Sequence, residues 1–343
     1  MRRPASLLLA LLLGVLCSAC GGAARAQARP RPAPTPVSAP QLSPGEATAI
    51  AKQLWESTAL VALISPDDPS RWAAFEEGTV LQSDQFYAGV RQGLGKPELS
   101  GSPALTSTTT WVPRTTSYPR WFLVQYDTFD TDNDGNVTTD PITDFDIVQQ
   151  DGPQSRWKEE FSAAVPGHQT PAPIVLDKAG YAVTATGPLV RPLASLPGAY
   201  ASYLASGGTR NAAWFAPGPV TSDEAPQAAN PGSPNLAYRY AGGGYPTYQF
   251  ALRGGSAFGI FGTQWIATIG GHGGCLQQNS ARTQTLVWVP PGKWAKVTAT
   301  LLLARTAVIP PAGRSGAPAR VSLFGPGGGT AGVLAVATDR GSC

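Results

Sequence analysis

Between residues 47 and 61 apolar side chains recur at helical spacing, and beyond Gly95 they gather into short β-prone runs separated by turns. The first element is announced by Ser43-Pro44-Gly45-Glu46, where an N-cap serine, a first-turn proline and a following glutamate form a capping box. Ala47, Ile50, Ala51, Leu54 and Val61 then share one face, with Thr58 the polar residue on that stripe. A second helical stretch is expected over 69–94, with Trp72, Phe75, Val80, Leu81, Phe86, Tyr87 and Val90 as its core residues and Gly78 as its weak point. Strands are expected at 109–112, 121–126, 142–148 and 157–163, with shorter runs at 174–176 and 181–184. Helices followed by a meander of strands is the order of an α+β unit with its helices on one sheet face.

After Gly187-Pro188 the scheme restarts. Ser195-Leu196-Pro197-Gly198-Ala199-Tyr200-Ala201 echoes Leu42-Ser43-Pro44-Gly45-Glu46-Ala47. Likewise, Tyr245-Pro246-Thr247-Tyr248-Gln249-Phe250-Ala251-Leu252 answers Tyr118-Pro119-Arg120-Trp121-Phe122-Leu123-Val124. Further strands are expected at 236–240, 258–269, 285–289, 296–308, 319–324 and 332–338, with Pro290-Pro291-Gly292 as a turn between two of them. The expected architecture is α+β in two tandem domains, 42–186 and 187–343. Each places an N-terminal helix or helices on a mostly antiparallel, curved sheet, and the second is richer in strand.

Ahead of both, residues 1–19 read as a lipoprotein signal peptide: Arg2 and Arg3, a leucine-rich run over 7–16, then Cys17-Ser18-Ala19-Cys20. Small residues before Cys20 resemble a lipobox, with Cys17 standing where a leucine is usual, so Cys20 is the expected acylation site. Cleavage after Ala24-Arg25-Ala26 with free release is the competing reading. The apolar run falls short of the roughly 20 residues that cross a membrane. Residues 20–41 are a Pro/Ala-rich stretch without apolar periodicity, expected to be a disordered tether. The expected location is the outer face of a bacterial cell membrane, held there by the N-terminal lipid.

With 42% hydrophobic and 14% charged residues the 343-residue chain can build real cores, and its 39 glycines and 33 prolines predict many turns and more strand than helix. The net charge of +3 moves toward neutrality once Arg2 and Arg3 leave with the leader, and no Lys/Arg cluster occurs outside the tether, so nucleic acid is not an expected partner. After processing, Cys275 and Cys343 are left to form one disulfide in an oxidising space.

At Tyr118-Pro119-Arg120-Trp121-Phe122, Leu176-Asp177-Lys178-Ala179-Gly180-Tyr181-Ala182 and Val289-Pro290-Pro291-Gly292 the chain resembles a family of actinobacterial lipoproteins with no assigned activity. The resemblance covers most of the mature chain and supplies no catalytic residues. The helix-then-meander order is similar to the cone of nuclear-transport-factor-two-like and cystatin-like domains, a likeness of architecture that leaves function open.

The sharpest local motif is Asp130-Thr131-Asp132-Asn133-Asp134-Gly135-Asn136-Val137. Asp130, Asp132, Asp134 and Asn136 carry oxygens at the alternate positions of a calcium loop, but Pro141 stands where a bidentate glutamate closes such a loop. The favoured reading is a hairpin turn using Asn, Asp and Gly for their turn chemistry, with calcium the alternative and no other cofactor expected. His168 and His272 each stand alone in Gly/Pro-rich loops, without zinc spacing. Gly254-Gly255-Ser256-Ala257-Phe258 lacks the last glycine of a nucleophile elbow, and Gly327-Gly328-Gly329-Thr330-Ala331-Gly332 has no room after it for a dinucleotide fold. Glu76-Glu77 and Glu159-Glu160 point their side chains in different directions and read as solvated surface.

Trp111, Tyr118, Trp121, Trp157, Tyr245, Tyr248, Trp265, Trp288 and Trp294 lie on or beside expected strands, either as core or as the lining of a pocket. With no catalytic constellation, the expected function is a non-catalytic, lipid-anchored binding or scaffold module at the cell envelope, its partner an envelope protein, a glycan or a small apolar ligand. A carrier of a small apolar ligand or glycan in an aromatic-lined pocket is the alternative, and an envelope enzyme stands third. Convergent polar side chains inside a large cavity would favour the second and third readings, and a filled aromatic core the first.

Overall fold

Helix α1 (Pro44–Ile64) opens the fold as its sequence dictates. The Ser43 side chain accepts from the Glu46 N–H, and the Ser43 N–H donates to Glu46 Oε2 at 2.9 Å. A computed structural model describes residues 40–94, 102–131, 137, 141–167, 173–186, 190–229, 235–270, 275–278, 292–311, 320–324, 332–341 and 343. Residues 1–39, with the expected signal peptide, Cys20 and nearly all of the tether, lie outside these described residues. No helix among those described is long and apolar enough to cross a membrane.

After α2 (Pro69–Trp72) and α3 (Gly78–Leu94), the strands β1 (Ser102–Trp111), β2 (Arg120–Thr131), β3 (Ile142–Gln150) and β4 (Lys158–Pro166) form an antiparallel sheet in chain order. Helices α4 (Val190–Ala205) and α5 (Pro219–Ala229) follow, flanking a 3-10 turn at Ala212–Trp214. A second antiparallel sheet uses β5 (Leu236–Gly242), β6 (Tyr248–Ala251) and β7 (Ala257–Gly270). Past the small hairpin of β8 (Leu276–Gln278) and β9 (Gly292–Trp294), it is completed by β10 (Lys296–Ile309), β11 (Ser322–Phe324) and β12 (Gly332–Asp339). Strand β7 pairs with β5, β6 and β10, and β10 also pairs with β11 and β12. The class is therefore α+β with more strand than helix.

Period-two alternation assigns each sheet two working faces. In the first sheet, Phe122, Val124, Tyr126 and Val148 pack with Ala47, Ala51 and Leu54 of α1, and the Tyr126 hydroxyl donates to the Ala51 carbonyl at 2.8 Å. Its opposite face sends Leu123, Phe145, Ile147, Phe161 and Val165 against Tyr248, Phe250, Phe258, Ile260 and Leu302 of the second sheet. The second sheet in turn places Phe261, Leu301 and Leu303 against Leu193, Leu196, Tyr200 and Leu204 of α4. Each such large side chain contributes about 1.5–3 kcal/mol when fully buried. The boundary expected between 186 and 187 thus falls between two sheets whose facing sides share one core.

The helix expected over 69–94 is interrupted. Gly78 takes φ +57°, and residues just before it run alongside β4. The Glu77 N–H donates to the Glu159 carbonyl at 2.8 Å, and the Glu159 N–H donates to the Phe75 carbonyl at 2.9 Å. The two echoes also take unequal places. Ser43 caps α1, whereas Ser195 and Pro197 lie inside α4. Tyr118-Pro119, joined by a cis peptide bond, leads into the twelve-residue β2, whereas Tyr245-Pro246 leads into the four-residue β6.

Candidate functional site

Strand β3 carries Thr143-Asp144-Phe145-Asp146-Ile147, and because Phe145 and Ile147 face the core between the sheets, Asp146 is turned to the other side, toward α3. There it meets Glu159 and Ser162 of β4 and Thr79, Ser83 and Asp84 of α3. Together with the apolar Val80, Ala164, Leu302 and Ala304, these residues line a cavity of about 410 Å³, closed on one side by β10 and β12. Tyr87, 43% exposed, is the one aromatic residue in the lining. The seat of α3 on β12 is close at Gly332, where a Cβ would stand 3.0 Å from Ser83 Oγ.

The carboxyl groups are withdrawn from water. Asp146 is 6% exposed, and its Oδ1 has no hydrogen-bond partner. Burial raises its pKa well above the usual carboxylate range, the charges of Glu159 and Asp144 add to this, and a hydrogen bond from Ser162 opposes it. Burial likewise lifts Glu159 to about 8, with Asp84 and Asp144 contributing. Glu76, 1% exposed, is raised first by burial and then by the charge of Asp84; its Oε2 has no partner. Its protonated carboxyl hydrogen-bonds Asp84, which burial brings up to about 6 while that bond draws it down. Among the described residues no group of three His, Cys, Asp or Glu side chains is placed to hold a metal ion.

On the far side of β10 the charge is balanced. Buried Arg305 pairs with Glu224 of α5, which also accepts from the Tyr200 hydroxyl. That guanidinium belongs to a packed ion pair between α5 and the second sheet.

Comparison with known proteins bears on this arrangement only at the level of family. The model for "Domain of unknown function (DUF8094)" matches residues 62–328. The chain belongs to the DUF8094 family. The DUF8094 match takes in α2, α3, both sheets up to β11 and every cavity residue named above except Gly332. No curated protein matches the chain. Among solved structures, an "Ntf2 like protein involved in plasmid conjugation" is 6% identical and aligns over 81% of this chain and 97% of its own, with a TM-score of 0.16.

The residues singled out from sequence are distributed unevenly. Cys275 and Cys343 stand at disulfide distance, with their Cα atoms 5.6 Å apart. Asp130 belongs to β2 opposite Pro103, while Asp132, Asp134 and Asn136 of the expected calcium or turn motif lie outside the described residues. His168, His272 and Trp288 lie outside them too. Gly254 and Gly255 form the tight turn after β6, where the Leu252 N–H donates to the Ser256 carbonyl at 2.8 Å.

The expectation of solvated surface at Glu76-Glu77 and Glu159-Glu160 is overturned. The parallel bridge between residues 76 and 159 buries Glu76 and Glu159, and it leaves their neighbours Glu77 and Glu160 only partly exposed. Burial, with the charges of Asp151 and Glu160, lifts Glu77 to about 7. The aromatic residues mostly fill cores: Trp121 packs edge-on against Tyr248 and Phe250, and Trp157 lies tilted against Phe122. Sequence reasoning missed Asp84 and Asp146, although the polar residues flanking Phe145 in an otherwise apolar strand were a signal for the second.

Proposed function

We propose that this chain is a non-catalytic envelope lipoprotein, acylated at Cys20 and related to the actinobacterial lipoproteins it resembles, whose folded body binds a small ligand in the cavity beneath α3. The observation that carries the reading is Asp146, which lines a cavity of about 410 Å³ and whose buried Oδ1 has no hydrogen-bond partner. Convergent polar groups in a concave, partly apolar site of roughly 300–1,000 Å³ are the usual form of a small-molecule pocket. A buried carboxyl oxygen left without a partner costs about 1–3 kcal/mol, a cost that a bound donor removes.

Ala164 tests the reading, because a larger side chain there fills the cavity from the sheet side. The full chain, extracted from membranes and incubated with a mixture of amines, carboxylates, alcohols and sugars, is examined by native mass spectrometry. Adducts formed by the wild type and lost in Ala164→Phe support ligand binding in this cavity. No adduct, or equal adducts in both proteins, overturns it. The same spectra read the anchor: diacyl mass on a chain beginning at Cys20 is expected, and an unacylated chain beginning near Gln27 counts against it.

A further inference from the structure

We infer that the cavity beneath α3 accepts a primary ammonium group carried on a short apolar stem, with Asp146 as its principal acceptor. This rests on the ligand-binding reading and specifies its chemistry. Three features of the wall carry it.

The first is charge. Asp84 reaches the site from α3, Asp146 from β3 and Glu159 from β4, with Glu76 behind them. Tyr87 of α3 and Tyr126 of β2 are the neutral titratable neighbours, both with raised pKa values through burial. Arg305 is the one cation among the lining residues, and it is committed to Glu224. The lining therefore gathers several acidic side chains in one place, and its one cation is already paired with Glu224.

The second is the kind of cation. No set of three ligands is placed for a metal ion among the described residues. A quaternary ammonium is usually received by several aromatic faces, whereas this lining holds only Tyr87. A primary ammonium instead offers three donors, and the wall supplies separate acceptors for them: Asp146 with its unpartnered Oδ1, the Glu159 carboxyl, and the hydroxyls of Ser83 and Ser162.

The third is the apolar part of the wall. Val80, Ala164, Leu302 and Ala304 offer no hydrogen bond from their side chains and suit a hydrocarbon stem. When the ammonium docks against a protonated carboxyl, that carboxyl ionises, the N–H donates to the new carboxylate, and the acid proton leaves to buffer. The ligand remains a cation throughout.

Calorimetry on the full chain at pH 6.5, in two buffers of different ionisation enthalpy, tests this with hexylamine and hexan-1-ol as probes. Hexylamine is expected to bind at least tenfold more tightly than hexan-1-ol and to release up to about one proton per molecule bound. Asp146→Asn, which preserves shape, is expected to weaken hexylamine at least tenfold. Equal affinity for the two probes, binding without proton release, or unchanged affinity in a folded Asp146→Asn variant each overturns the amine assignment. The comparison of probes needs only wild-type protein, so it stands if the variant fails to fold. Adducts with neutral or anionic molecules alone in the metabolite mixture would sink this inference while leaving the cavity reading intact, whereas the absence of any adduct removes both.

Discussion

Replacing Asp84 by Asn should make the protein more stable at neutral pH and leave it unchanged in acid. In the unfolded chain this carboxyl has its ordinary value of 3.8, and in the fold burial brings it to about 6. Between those values the folded state holds a proton that the unfolded state has released, so stability falls as pH rises through this window and stays reduced above it. At ~1.4 kcal/mol per pH unit the interval corresponds to at most ~3 kcal/mol. Asn removes the titration but keeps a carbonyl oxygen able to accept the hydrogen bond from Glu76, which is protonated here. The variant should therefore match the wild type near pH 4 and exceed it by about 1–3 kcal/mol at pH 7.5. Urea unfolding followed by tryptophan fluorescence reads this as a rise in midpoint at constant slope. A variant less stable at pH 7.5, or a difference equal at both pH values, would refute the argument that Asp84 is desolvated in its ionised form.

Glu224→Gln should destabilise the protein by about 3–5 kcal/mol, because it leaves the 1%-exposed Arg305 without its counter-charge, and urea titration should show partial recovery when Arg305→Met is added. Cys275→Ser opens a disulfide-closed loop with a sequence separation of 68 and should cost ~4 kcal/mol, read as a lower thermal midpoint that reductant no longer changes. Gly78→Ala should cost about 1–3 kcal/mol, since the backbone there has φ +57° and a Cβ would press on the Glu160 carboxyl; faster amide exchange at Glu77 and Glu159 should localise the damage.

How far the fold was legible depended on whether the deciding contact was local. The capping box at Ser43 and the stripe through Ala47, Ala51, Leu54 and Val61 are local, and α1 follows them. Strands β2, β3, β7 and β10 carry apolar runs with β-branched and aromatic residues, and their positions were close to those expected. The break at Gly78 was visible only as a weakness, because what resolves it is a bridge to Glu159, more than eighty residues along the chain. Helix α5, with Pro226 inside it, carries no clear apolar stripe in sequence; it holds its place by Val220 and Ala225 in the core and by Glu224 on Arg305.

The cavity was illegible for a related reason. Adjacent glutamates on one segment point apart, and that local rule is correct: Glu76 turns inward while Glu77 is only half-withdrawn. What it omits is that a second segment with its own glutamate pair comes alongside, so that one member of each pair is buried next to the other. Period two on β3 completes the arrangement, since any register that seats Phe145 and Ile147 in the core between the sheets must turn Asp146 toward α3. A chain selected for stability alone would have an apolar residue there, as Val124 and Val148 are on the same face of the sheet under α1. Desolvated carboxyls retained where hydrocarbon would fold better are the reason to read this place, rather than the aromatic cores, as the site of function.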